Sequence, residues 1–277
     1  RRQRQMCIRD RCREVLFVIR IDEVLTEEIN KRCSRRRYSE KPITVQEEVE
    51  ILKIIEKIND DSGLEFECCI NYGNEVFDGL TASYGIIKGC SSYTALIGDS
   101  RDELIEEKIG YYGEYLVLKL TQMGFGTCWV GGTFDKKAVA KDIKTEYCDK
   151  LYCVIALGNL ESEEKTNFEK VLGFFGKNRK SAGEIFISIE KVKDEDRDWI
   201  LNGLECVRKA PSALNSQPWI FGYKDGSVYI KGNGKKTGFE KIDLGIAMLH
   251  FQMGAEEKGY VGQWKFIKNC WEFVNRE

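Results

Sequence analysis

The sequence predicts an α+β fold. Three observations carry that expectation: a capped helix with an apolar face at 45–58, an Asp-Gly hairpin at 225–226 between two strand patterns, and a continuous apolar run at 151–157. The 277 residues, 42% hydrophobic and 32% charged, suffice for one large or two modest globular units. No apolar run approaches the roughly eighteen residues needed to span a bilayer. Gly is plentiful and Pro scarce, with no low-complexity stretch, so long disordered linkers are not expected.

Residues 24–31 read as a first helix. Pro42 and the Thr44-Val45-Gln46-Glu47 capping box then open a second, whose Ile51, Ile54, Ile55 and Ile58 share one face. Short strands are expected near 66–70 and 93–97. A long helix over about 110–124 carries Tyr112, Tyr115, Leu116, Leu120 and Met123 on one side and ends at Gly124. The run LYCVIAL, 151–157, has the pattern of a strand buried on both faces. The charged segment 161–170 reads as a surface loop, and 181–187 as a short segment of undetermined type. A helix over 194–209 leads into a turn, and Trp219–Tyr223 and Ser227–Lys231 form the hairpin around Asp225-Gly226. A last long helix, about 240–258, lines up Ile242, Ile246, Leu249 and Met253, and a strand follows near 263–267.

A faint internal repeat joins 113–129 to 245–264. Both run from a Gly through an apolar helix to Gly-aromatic, with a Trp five residues after that second Gly, though the spacings differ by three residues.

Residues 1–12, RRQRQMCIRDRC, stand apart. The codons ATG TGT ATA AGA GAC, which encode Met6 to Asp10, resemble the end of a transposon-type sequencing adapter, so this start is read as adapter-derived and left out of the fold argument. It carries five Arg and one Asp, so the formal net charge of −2 becomes −6 for the rest. A mildly acidic body argues against nucleic-acid binding. None of the eleven Cys forms a CxxC pair and no signal peptide is evident, so reduced thiols in a cytoplasm are expected. With a single His and no clustered Cys, no metal site is expected.

The lone His250 would have to serve any nucleophile–His pair, but it sits inside a predicted helix beside Leu249 and Phe251, with no Ser or Cys signature near it. The stretch KGNGKKTG, 231–238, lacks the spacing of a phosphate-binding P-loop and reads as a solvated turn. Three other stretches are more informative. In RCSRRRY, 32–38, the alternation of Arg32, Ser34 and Arg36 would put two guanidinium groups and a hydroxyl on one side of an extended chain, a grip suited to phosphate. In KAPSALNSQPW, 209–219, two of the chain's three prolines fix a turn offering Ser212, Asn215 and Gln217, a polar edge suited to a flat heterocycle with carbonyl and imide groups. In GFGTCWVGG, 124–132, glycines would allow the backbone to approach a planar ligand.

Together these stretches resemble the nitroreductase-like FMN flavoproteins, over residues of about 30–270. Asn178-Arg179-Lys180-Ser181 is similar to the family's late phosphate-binding motif. The resemblance implies a nitroreductase-like fold with a mainly antiparallel sheet and one FMN per chain. It implies that Arg32, Ser34 and Arg179 hold the phosphate, with Lys177 a weaker candidate. Arg36 would reach the N1/O2 edge of the ring, Pro211, Ser212 and Asn215 would line the opposite wall, and the backbone of Gly131 would contact the ring near N5. Cys33 and Ala213 occupy matched positions but differ from residues common in the family.

One departure is informative. In ordinary members the two motifs lie a few tens of residues apart and each flavin is shared across a homodimer; here Ser34 and Asn215 are 181 positions apart. The chain therefore resembles the tandem subgroup, in which two diverged halves, 24–192 and 193–277, imitate the dimer. The first half would keep the phosphate grip and the flavin loop, and the second would donate the turn. A monomer is expected, with a homodimer as the alternative, and no nucleic-acid or membrane partner. The implied chemistry is FMN-dependent, with NADH or NADPH as hydride donor and a nitroaromatic, quinone or related small molecule as acceptor, in ping-pong order. Two alternatives stay open: a flavin-binding or storage protein without efficient turnover, and a flavoenzyme of another reaction such as reductive dehalogenation.

Overall fold

A computed structural model describes residues 23–77, 86–144, 148–162, 178–187 and 191–276, together with the main chain of 15–17. Residues 1–12, Lys177 and most of 161–170 lie outside the described residues.

Helix α1 (Thr26–Lys31) is followed by α2 (Val45–Ser62), whose capping box forms as predicted: Glu47 N–H donates to Thr44 Oγ1 and Thr44 N–H donates to Glu47 Oε2. Ile51, Ile55 and Ile58 are buried, and Gly63 ends the helix with a left-handed φ of 69°. Then come β2 (Glu67–Cys69), α3 (Asn74–Phe77), β3 (Ser92–Asp99) and α4 (Ile105–Gln122). Helix α4 starts five residues before the predicted position, because its first turn carries Glu106 and Glu107 where an apolar stripe was sought. β4 (Gly126–Val130), α5 (Lys136–Asp142) and β5 (Asp149–Gly158) complete this half. The strand β4 was read only as a glycine loop; it is largely buried on both faces, so it lacks the alternation that marks a half-buried strand.

The segment 181–187 is a capped turn of helix, α6 (Ala182–Ile185), and a two-residue strand, β6 (Phe186–Ile187). α7 (Asp194–Lys209), β7 (Trp219–Lys224) and β8 (Ser227–Gly232) follow, and the β7–β8 turn puts Asp225 and Gly226 at φ 52° and 84°. Both are left-handed, as a type I′ hairpin requires. Helix α8 (Glu240–Glu257), β9 (Gly262–Ile267) and β10 (Cys270–Asn275) end the chain. β10 was not predicted, since its hairpin turns through Lys268 and Asn269, also left-handed, without a glycine to announce it.

The strands form two sheets rather than one. Their orders are β2-β3-β5-β4 and β1-β9-β10-β8-β7-β6, with β1 the strand Val15–Phe17, and every pairing is antiparallel except β6–β7. The inner order of the second, β9-β10-β8-β7, repeats that of the first read backwards, β4-β5-β3-β2. Helices α4 and α8 are each 18 residues long and start 135 positions apart, at 105 and 240. β3 and β8 start the same distance apart, at 92 and 227.

These two helices cross at glycines, and the contacts are reciprocal. A Cβ on Gly110 would run into the carbonyl of Ile242, and one on Gly245 into the carbonyl of Glu107. Gly110 and Gly245, like Glu107 and Ile242, are 135 positions apart, so each helix offers the other the same patch, as across a twofold axis. The repeat is thus better in register than its first reading, which aligned Gly113 rather than Gly110 with Gly245. The edges depart from the symmetry: β6, which precedes residue 193, pairs with β7 of the second sheet.

Candidate flavin site

Three chain segments meet at a cavity of about 430 Å³. The first leaves α1 and runs extended beside β4: Ser34 bridges Thr127, and Arg35 N–H donates to Thr127 O at 2.8 Å. That extended course places Ser34 and Arg36 on the cavity wall. Arg32 does not share their position. It caps α1, and its guanidinium is buried, with Nε 3.5 Å from Glu114 Oε1 and Nη2 3.5 Å from Lys209 O. Cys33 is a half-buried free thiol that does not line the cavity.

The second segment is the proline turn. Pro211, Ser212, Ala213 and Leu214 line the cavity. Leu214, Asn215 and Gln217 all have positive φ, at 53°, 53° and 46°. Each costs roughly 1–2 kcal/mol for a residue with a Cβ, so the turn persists only because its surroundings hold it. Gln217 N–H donates to Ser212 Oγ at 3.0 Å, Lys235 Nζ to Ser216 O at 2.9 Å and Lys180 Nζ to Gln217 O at 2.8 Å. All three polar side chains assigned to a ligand are thus engaged within the protein, since Asn215 Nδ2 donates to Asn178 O at 3.2 Å and Gln217 Nε2 to the same carbonyl at 2.9 Å. Of the three, Asn215 and Gln217 are not among the residues that line the cavity.

The third segment is the end of β4. Trp129, Val130, Gly131 and Gly132 line the cavity. A Cβ on Gly131 would strike the ring of Phe239, itself a lining residue. Gly131 therefore leaves room for the ring of Phe239, which a larger residue there would displace.

The electrostatics favour an anion. Arg179 Nη1 donates to Ala210 O at 2.7 Å, next to the carbonyl that Arg32 faces. Burial, and then the charge of Arg32, pushes the Arg179 guanidinium down to about 10, with Glu114 opposing. Glu114 is fully buried and already accepts from Trp129 Nε1 at 2.8 Å, while His250 Nε2 lies 2.9 Å from its other oxygen. Arg32 thus pairs with this carboxylate and Arg179 feels its charge, Arg32 Nε has no hydrogen-bond partner among the described residues, and neither arginine is among those that line the cavity. Uncompensated buried cations are costly, and a phosphate with its strong acceptor oxygens is the group that such a pair accommodates. The residues present fit FMN. His250 is a core residue, its Nδ1 3.0 Å from Cys206 O.

Sequence reasoning missed Thr237, Phe239, Ile242, Asp243 and Ile246, all lining residues from the turn before α8 and its first turns. The 231–238 stretch does join a strand to a helix with exposed lysines, but its end forms a cavity wall. One signal was present. Asp243 stands three and seven positions before Ile246 and His250, which puts an acid in line with an apolar helix face. It is 2% exposed. Its two oxygens accept Ala213 N–H at 3.0 and 3.2 Å, and Ser216 Oγ lies 3.5 Å from Oδ2. Burial above all, with Glu240 nearby, pushes its carboxyl up to about 7.

No helix among the described residues is long and apolar enough to cross a membrane, and none of their His, Cys, Asp and Glu side chains form a group that could hold a metal ion. Comparison with curated proteins found no match. Among solved structures, one described as a putative nitroreductase from Thermotoga maritima MSB8 is 21% identical, covers 94% of this chain and 100% of its own, and superposes with a TM-score of 0.60. An FMN-dependent nitroreductase from Clostridium difficile R20291 is 17% identical over 60% of this chain and 96% of its own, with a TM-score of 0.40. A nitroreductase with bound FMN from Bacteroides fragilis NCTC 9343 is 19% identical over 52% and 94%, with a TM-score of 0.39. The first of these shares the fold. Residues 24–255 match the family described as Putative TM nitroreductase, and the chain belongs to that family.

Proposed function

We propose that the protein is an FMN-dependent NAD(P)H oxidoreductase of nitroreductase type, built as a single-chain pseudo-dimer. The observation that supports this reading is a cavity walled by Ser34, Arg36, the strained proline turn and Gly131, together with two further guanidinium groups, Arg32 paired with the buried Glu114 and Arg179 on the carbonyl of Ala210. Arg32 and Arg179 would hold the phosphate of FMN, with Ser34 and Arg36 on the wall that the same extended segment provides. Pro211, Ser212 and Ala213 would form the facing wall. When bound, the flavin supplies hydride chemistry, accepting from NADH or NADPH and donating to a nitroaromatic, quinone or related acceptor. The positive charge of Arg36 on the cavity wall suits a ring that gains negative charge on reduction. The lining of Ile242, Ile246, Phe239 and Leu214 suits a flat, largely apolar acceptor.

The reciprocal Gly110 and Gly245 contacts and the repeated strand order support division into the halves 24–192 and 193–277. The wall segments Ser34–Arg36 and Pro211–Leu214 come from different halves, which is what a dimeric site folded into one chain would require.

The test is an absorption spectrum of the purified protein after incubation with FMN, then anaerobic addition of NADH and, separately, NADPH. Protein-bound flavin bands that bleach support the reading. Bands that persist assign the protein to flavin binding without this donor, and failure to retain FMN overturns the proposal.

A further inference from the structure

The carboxylate of Asp243 enters no ion pair among the described residues, yet it is buried at a cavity wall and accepts the main-chain N–H of Ala213 with both oxygens. The turn that it grips is the one with three positive-φ residues, and the grip comes from α8, across the cavity wall from the lysines that hold Ser216 O and Gln217 O. We propose that Asp243 is the positioning residue of the flavin wall: its ionised carboxylate clasps the 211–217 turn through Ala213 N–H and Ser216 Oγ–H, and protonation of that carboxylate loosens the wall.

The groups that act on Asp243 are few. Glu240 on its own helix adds negative charge, the Cys153 thiol of β5 lies near enough to be raised by it, and Ala213 N–H and Ser216 Oγ–H donate from the turn. Burial outweighs both donors, so the carboxyl titrates at about 7 instead of near its ordinary value. Above that pH the carboxylate accepts from the turn with both oxygens. Below it one oxygen takes a solvent proton and becomes a donor, the doubled acceptance of Ala213 N–H is lost, and the strained backbone is held by fewer bonds.

The clasp can be tested without any flavin. In ¹⁵N-labelled protein, the Ala213 amide is expected to titrate between pH 5.5 and 8.5 with the same midpoint as the Asp243 side-chain carboxyl, and to stop titrating in Asp243→Asn. An Ala213 amide that does not move near neutrality overturns the proposal outright, whatever the cofactor. The second arm rests on the flavin reading. FMN dissociation constants are measured for both proteins from pH 6 to 8. Wild type is expected to weaken by about fivefold as pH falls across this range, the change that one unit of linked pKa produces there for a group titrating at about 7. Asp243→Asn is expected to bind weakly at pH 8 and to show a flatter profile. The second ionisation of the FMN phosphate, near ~6, acts on both proteins alike and cancels in the comparison. Equal pH profiles in the two proteins overturn the positioning role. Retention of the Ala213 titration with no FMN binding at any pH would sink the flavin assignment and leave the clasp standing.

Discussion

Two buried acids, Glu107 and Asp243, carry raised pKa values, but only Asp243 lines the cavity. Glu107 on α4 is pushed up to about 7 by burial, with Lys241 at 4.0 Å as its nearest relief, and its Oε2 has no hydrogen-bond partner among the described residues. A carboxyl whose folded pKa lies above its unfolded value holds its proton longer in the native state. Its stabilising contribution is complete below about 4 and is lost as pH rises through about 7. Glu107→Met should therefore raise the melting temperature at pH 8, by on the order of 1 kcal/mol of stability, and change it little at pH 5. Equal effects at both pH values would contradict this account. At the phosphate grip, Arg179→Gln should weaken FMN by roughly tenfold or more while leaving riboflavin, which lacks the phosphate, within about twofold; equal losses for both would place Arg179 elsewhere in function. The place of Ser34 and Arg36 on one wall was legible from their alternation, whereas Arg32, expected beside them, is buried against Glu114 instead. That buried cluster was not legible: Glu114 and His250 lie 136 positions apart, and only the crossing of α4 with α8 makes them neighbours.

At the scale of elements, the sequence was most legible where a local device sets the boundary. The Thr44–Glu47 box, the Gly124 stop and the Asp225-Gly226 turn each work through residues a few positions apart, and each forms where expected. β4 was missed because what makes it a strand is pairing with β5, which no short window contains, and β10 because its hairpin with β9 turns through Lys268 and Asn269 without a glycine. The glycine crossing lies between these extremes. Gly110 and Gly245 look like helix-weakening residues in isolation, and only their shared offset of 135 marks them as contact points. Gly245→Ala should push the methyl into the Glu107 carbonyl and cost about 3 kcal/mol, read as a fall in the urea midpoint with an unchanged slope. Gly110→Ala should do the same through Ile242. Gly183→Ala, where nothing lies within 4 Å of the added carbon, is the control and should be close to neutral. Matching losses at the two crossing positions are expected from reciprocal contacts; a harmless change at either one would contradict them.

For the whole molecule, the 135-residue offset between α4 and α8 raises the question of a second flavin site, since a dimer of the proposed design would hold two. The 135-residue offset identifies what stands at each equivalent position. Gly131, on the wall of the cavity, corresponds to Phe266, whose ring lies 5.0 Å from that of Trp271. Ile246 corresponds to Tyr111, buried and donating to Gln252, and Trp129 to Trp264, buried and donating to Met248 O. Asp243 corresponds to Lys108, which pairs with Asp102 and cannot accept a turn N–H. By order of elements rather than by that offset, the link from α2 to β2 stands where the proline turn links α7 to β7; it turns at Gly63, and Asn59 binds the main chain of Phe66 through both ends of its amide. Gly131 and Ile246 thus have bulkier counterparts in Phe266 and Tyr111, Asp243 has a paired lysine, and Trp129 has a second tryptophan. These exchanges are expected to close the second cleft. The expected stoichiometry is one FMN per chain, measured by absorbance of the released flavin against protein concentration after gel filtration. Light scattering should give the mass of a single chain with flavin still bound, since both walls of the site come from that chain. Two flavins per chain would show that the second cleft is still open, and a species that binds flavin only as a dimer would show that the site needs a partner's residues after all.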